Sequence, residues 1–98
     1  MDLLVAQKVM GHVLRGGILQ GPFGETYPYC PKYSVDSEQA LRVLDRLTRL
    51  WGEFTLGWDG EDGCWVVYDQ AKKLAACEQS FQVAVCKAAL KAAGVEVQ

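Results

Sequence analysis

This chain of 98 residues has only one histidine, three prolines and four cysteines, and each scarcity excludes something. With His12 as the sole imidazole, no histidine pair can hold a metal, and no acid or nucleophile is spaced to make His12 a catalytic base. His12 reads as a surface or boundary residue at the end of a first helix. Cys30, Cys64, Cys77 and Cys86 lie far apart and form no CxxC, the spacing that marks zinc or a redox pair. Neither a disulfide framework nor a zinc site is expected. Cys77 and Cys86 read instead as small, reduced, buried side chains. No phosphate loop, nucleophile–base pair or cofactor motif is legible, so no enzyme activity and no cofactor are expected. No apolar run approaches the roughly 20 residues of a membrane span. The opening MDLLVAQKVMG holds Asp2, Gln7 and Lys8 where a secretory signal is apolar. A cytoplasmic protein without membrane contact is expected. Positive charge is not in excess either. The net charge is -2, which argues against a dedicated nucleic-acid binder.

What is present is globular. Half of the residues are hydrophobic and 22% are charged, enough for one domain over residues 1–98 with one core. Residues 36–63 hold seven acids against three arginines, and residues 71–98 hold four lysines against two glutamates. That mild dipole reads as solvated surface.

The stretch that organises the chain is Ser80 to Gly94. Ser80 is placed to cap a helix and Gly94 to end it in the left-handed conformation. Phe81, Ala84, Val85, Ala88 and Ala92 recur at helical spacing, Val83, Cys86, Leu90 and Ala93 widen the stripe, and the alanines allow close approach. Before it, Asp2–Met10 reads as a short helix stopped near Gly11. Val13-Leu14 and Ile18-Leu19 suit a short hairpin turning at Arg15-Gly16-Gly17. GPFGETYPYCPKYS follows as a loop dense in rings: Phe23, Tyr27, Tyr29 and Tyr33. Those rings serve either as a lid on the core or as a contact surface, since tyrosines offer rigid area with a polar tip.

Asp36–Trp51 is the clearest periodic helix, capped by Asp36 with Gln39 in a capping-box-like position. Ala40, Val43, Leu44, Leu47, Leu50 and Trp51 form its apolar stripe; Arg42, Asp45, Arg46 and Arg49 fall on the wet side. Glu53–Trp58 alternates as a strand. Asp59-Gly60-Glu61-Asp62-Gly63 is a hairpin turn that lacks the ligand ladder of a calcium loop. Cys64–Tyr68 is apolar on both faces, and Lys72–Glu78 completes a meander. The expected class is α+β: a three-layer α/β/α sandwich around an antiparallel three-stranded meander, with helices on both faces.

Three segments in register carry a resemblance: Leu4–Gly11, the Tyr33-Ser34-x-Asp36 ahead of the second helix, and Ala84–Gly94. Together they resemble the small phage proteins of the ABA-sandwich family, over nearly the whole chain. His12 stands where many such proteins carry a tryptophan. The resemblance implies a helix–sheet–helix sandwich, a bacteriophage or prophage origin, and hence the host bacterial cytoplasm. It implies no catalytic residues.

On these grounds the expected function is non-enzymatic binding, of a host protein or of a small signalling nucleotide, in the manner of an anti-defence factor. The contact candidates are Phe23, Tyr27, Tyr29 and Tyr33 of the loop, with Lys32 or Arg15 to meet a phosphate, and Trp58 and Trp65 beside the hairpin. The plainer reading of the tryptophans is core, because large apolar rings dominate small cores. A homodimer is a further expectation, because so small a domain gains by burying a face. The competing reading is a nucleic-acid module. The order α-β-β-β-α copies a double-stranded-RNA-binding domain, and Lys87 and Lys91 share one side of the last helix. That domain, however, places its cations at the start of the final helix, where this chain has Gln79-Ser80-Phe81-Gln82.

Overall fold

Ser80 adopts an extended backbone and its hydroxyl accepts from Val83 N, which starts the last helix where the chain leaves a strand. A computed structural model describes residues 1–95. The elements are α1 (Asp2–Lys8), β1 (Val13–Arg15), β2 (Ile18–Gln20), β3 (Thr26–Tyr27), α2 (Ser37–Trp51), β4 (Thr55–Asp59), β5 (Cys64–Tyr68), β6 (Leu74–Glu78) and α3 (Phe81–Ala92). This is the expected α+β class, with three helices and two antiparallel three-stranded sheets among the described residues.

α3 is the hub. It packs against α2, against α1, and against β5 and β6 of the meander. Ala84, Val85, Cys86, Ala88, Ala89 and Leu90 are all buried, so this helix is apolar on nearly every side. The core joins them to Val5 and Ala6 of α1, Val9 just past its end, Val43 and Leu47 of α2, Val67 and Ala76 of the meander, and Leu19 and Tyr33. Gly94 closes the helix at φ 82°.

The three segments that carry the family resemblance have physical jobs. Asp36 caps α2 by accepting from Gln39 N at 3.2 Å. Tyr33 is buried in the core. Ser34 N donates to the Asp2 carboxylate at 2.9 Å, which ties the first residue of α1 to the start of the second helix. Two residues of the expected α2 stripe, Leu50 and Trp51, are instead 46% and 37% exposed. They lie in the last turn, beyond the part of α2 that meets the core.

β4, β5 and β6 run in sequence order, with Trp58 opposite Trp65 and Val66 opposite Cys77. Trp58, Trp65, Val67 and Ala76 share the face that meets α3, and the Trp65 ring meets Phe81 edge-on at 5.6 Å. The smaller sheet contains the expected hairpin, turned by Gly16 and Gly17 at positive φ. It also contains β3, inside the stretch expected to be irregular, where Leu19 pairs with Tyr27. Two residues are too few to show a period in sequence.

The cysteines correct one expectation. Cys64 and Cys77 form a disulfide across the meander, with Cα atoms 6.1 Å apart, within the span such a bond bridges. They lie on adjacent strands, on the face turned away from α3, a placement that β pairing sets and linear spacing does not show. Cys86 is the reduced, buried thiol expected of it, and Cys30 is also free.

Two outcomes follow from the packing. Closing a loop of 13 residues corresponds to about 3 kcal/mol in the chain-entropy account. Reduction is therefore expected to lower the denaturant midpoint while keeping the far-ultraviolet spectrum. Thiol counting in denaturant should rise from two to four on reduction, since Cys30 and Cys86 start free. Ala89→Leu, at a fully buried contact of α3, is expected to cost about 1–3 kcal/mol by overpacking, seen as a drop in Tm.

Candidate functional site

Past the end of α1 the chain turns sharply at Gly11, whose φ is 74°. His12 N then donates to Ala6 O at 2.9 Å, which carries the next side chain inward. His12 is therefore 7% exposed, not a boundary residue. Its ring stacks on Tyr27 of β3 with centroids 5.1 Å apart and planes 13° from parallel. Nδ1 is buried and has no hydrogen-bond partner among the described residues.

His12, Tyr27 of β3 and the loop after β2 form one wall of a groove of about 500 Å³, and the wet face of α2 forms the other. His12, Tyr27, Phe23 and Glu25 come from the first side, and Arg42, Arg46 and Arg49 from the second. Phe23 is 92% exposed and projects freely. Arg42 is paired with Glu38 and Arg49 with Asp45, each at 3.1 Å. Arg46 differs. Its Nε donates to Val9 O at 3.2 Å, and no acid pairs with it among the described residues. A methyl group placed on Gly11 would stand 3.7 Å from Arg46 Nη2, so the guanidinium lies directly beside the residue that precedes His12. The Glu25 carboxylate accepts from Phe23 N at 3.0 Å and fixes that tight loop.

Burial pushes the His12 pKa below its ordinary 6.5, and the Glu25 carboxylate pulls it back by less. Burial pushes the Cys30 and Cys86 thiols up, the latter to about 12, with the Asp2 carboxylate adding to each shift. Both thiols are poor nucleophiles in that state.

The expected contact residues separate into two groups. Phe23, Tyr27 and Tyr33 line the groove, although Tyr33 is almost wholly buried. Tyr29 is 85% exposed and Lys32 is exposed, and neither lines it. Trp58 and Trp65 meet edge-on at 5.4 Å on the meander and are likewise not part of the groove. Arg15 is an exposed residue of β1 outside it. The arginines of α2 carry no sequence signal beyond a solvated helix face. Only the fold sets them opposite rings. At the last helix, Lys87 pairs with Glu78.

The single imidazole makes one prediction clean. Between its lowered folded pKa and 6.5, the unfolded chain binds a proton that the folded chain refuses. The stability that His12 contributes is therefore fully present above pH 6.5, falls as pH drops, and levels off below the folded pKa. NMR titration of the ring protons should give a midpoint below 6.5, and His12→Gln should flatten this part of the stability–pH curve.

The comparisons with known proteins agree on the fold. A crystal structure of a phage protein from Bacillus cereus ATCC 14579 superposes with a TM-score of 0.74 at 20% sequence identity, covering 99% of this chain and 87% of that one. No curated protein matches. Among the described residues, no helix is long and apolar enough to cross a membrane. The model of the phage ABA sandwich domain matches residues 3–90. The chain belongs to the phage ABA sandwich domain family.

Proposed function

We propose that this phage-family protein is a non-enzymatic binder that sequesters a small nucleotide in the groove between α2 and the wall formed by His12, β3 and the loop before it, acting in the host cytoplasm. One observation carries the reading. The groove sets a stacked ring pair, His12 on Tyr27, and the free ring of Phe23 opposite a row of arginines. Rings take the faces of a base, and guanidinium groups take phosphate oxygens with two parallel hydrogen bonds. A volume of about 500 Å³ lies in the range of small-ligand sites. The elevated thiol pKa values and the absence of an acid bonded to His12 among the described residues favour binding over chemistry. Docking on a host protein is the second reading, favoured by the exposure of Phe23 and Tyr29 on either side of β3. The pairing of Lys87 with Glu78 occupies one of the two cations that a nucleic-acid reading needs.

Thermal shift against nucleoside monophosphates, cyclic nucleotides and cyclic dinucleotides tests the proposal. A ligand present at a hundred times its Kd should stabilise the protein by about 2.7 kcal/mol. Phe23→Ala removes an exposed ring, so it should leave the unliganded Tm in place. It should weaken binding by about 1–3 kcal/mol, the worth of one stacked base. No shift across the whole panel, together with recovery of one stoichiometric host protein that Tyr29→Ala releases, would replace this reading with the second.

A further inference from the structure

Most of the charge in the groove is already spent. Arg42 answers Glu38 and Arg49 answers Asp45. The remaining cation is Arg46, and it is held in place. Its Nε is fastened to the Val9 carbonyl at the end of α1, and Nη2 stands beside Gly11. The next residue is His12, more than nine-tenths buried, with its ring lining the same groove.

The orphaned nitrogen of His12 decides what that ring offers. Nδ1 is buried without a partner. A proton there would be an unsatisfied buried donor, which costs more than an unsatisfied lone pair on a neutral ring. The proton of the neutral imidazole therefore sits on Nε2. Nδ1 is closed off, so Nε2–H is the donor left for the groove.

We infer that the corner formed by Arg46, Gly11 and His12 is a subsite for one phosphoryl group, with Arg46 supplying the charge and neutral His12 donating from Nε2. This deepens the ligand reading of the groove and rests on it. A fixed guanidinium beside a neutral N–H donor suits an oxyanion, since both offer donors only. Glu25 faces His12 from the loop wall and opposes the charge of any phosphate beyond the first. The site thus takes a single phosphate monoester or diester, of the kind a nucleoside monophosphate carries, rather than a polyphosphate chain. The ring stack of Tyr27 and the free Phe23 lie along the same groove for the base.

The test compares adenosine 5′-monophosphate, adenosine and inorganic phosphate, with the lone imidazole followed by NMR. Nitrogen shifts of the unliganded protein should report the Nε2–H tautomer. The monophosphate and inorganic phosphate should both move the His12 signals to saturation, and adenosine should bind at least tenfold more weakly than its monophosphate. Arg46→Lys should close most of that gap without changing adenosine binding. Lysine lacks both the Nε anchor and the flat fork. His12→Gln, which keeps an N–H donor near the Nε2 position, should retain the preference, and His12→Asn, which mimics Nδ1, should lose it. An Nδ1–H tautomer in the wild-type protein overturns the subsite whether or not any variant folds. Equal affinity for adenosine and its monophosphate overturns the subsite and leaves the groove as a base-binding site. Failure of all three probes to bind overturns the subsite, and the wider nucleotide panel then decides the groove.

Discussion

The close approach of α3 to its neighbours is the constraint on which the rest of the molecule depends. A helix of 12 residues that meets a sheet and two other helices has almost no face left for large side chains. Alanine at 84, 88 and 89 meets that demand, with Val85, Cys86 and Leu90 filling the wider gaps. Interiors are packed at crystal-like density, so each methyl group added to such a seam displaces a neighbour. The cost appears at the edges. Because α3 takes its contacts from several elements, none of them is fully covered. Leu3 and Leu4 of α1, Leu41 and Leu50 of α2, and Trp58 of β4 all remain partly exposed.

The legible parts of the fold are those whose signal lies within one element. The helix periods of 37–51 and 81–92 and the caps at Asp36 and Ser80 are local, and the structure places them where the pattern points. The meander is legible because its turns are. Asp59 Oδ1 accepts from Glu61 N and Asp62 N, so the acidic cluster is a turn that organises its own amides. Ser34 and Asp2, 32 residues apart in sequence, show the opposite case. Their contact ties Tyr33-Ser34-x-Asp36 to the opening helix, yet neither segment announces the other.

The illegible parts all need two distant segments at once. The Cys64–Cys77 bond follows from the pairing of Val66 with Cys77, which carries both sulfurs to one face of the meander. Spacing rules look for neighbours in sequence and pass over neighbours across strands. His12 reads as a boundary residue because Gly11, a helix stop in the sequence, stands just before it. The positive φ of that glycine is what turns the histidine inward. The groove arises in the same way. Arg42, Arg46 and Arg49 have the helical spacing of any solvated face, and only the fold sets them across from Phe23, Tyr27 and Glu25. Tyr29, Lys32 and Arg15 lie elsewhere because β3 splits the ring-rich stretch so that it does not act as one surface, and Trp58 and Trp65 lie on the meander.

The burial of His12 bears on what the groove is for. A buried polar atom left without a partner costs on the order of 1–3 kcal/mol, a large fraction of what a domain of this size retains. Phenylalanine at the same place would keep the stack on Tyr27 and remove that cost. A histidine held there, with one nitrogen sealed and the ring at the wall of a groove, is a local conflict of the kind that functional sites hold. The same corner contains a second such feature, since Arg46 spends one donor on the end of α1 and has no acid of its own among the described residues. Packing alone calls for neither arrangement. On the proposed reading, an oxyanion supplies the acceptor that Arg46 and the open Nε2 of His12 share, while Nδ1 stays sealed and fixes which nitrogen carries the proton.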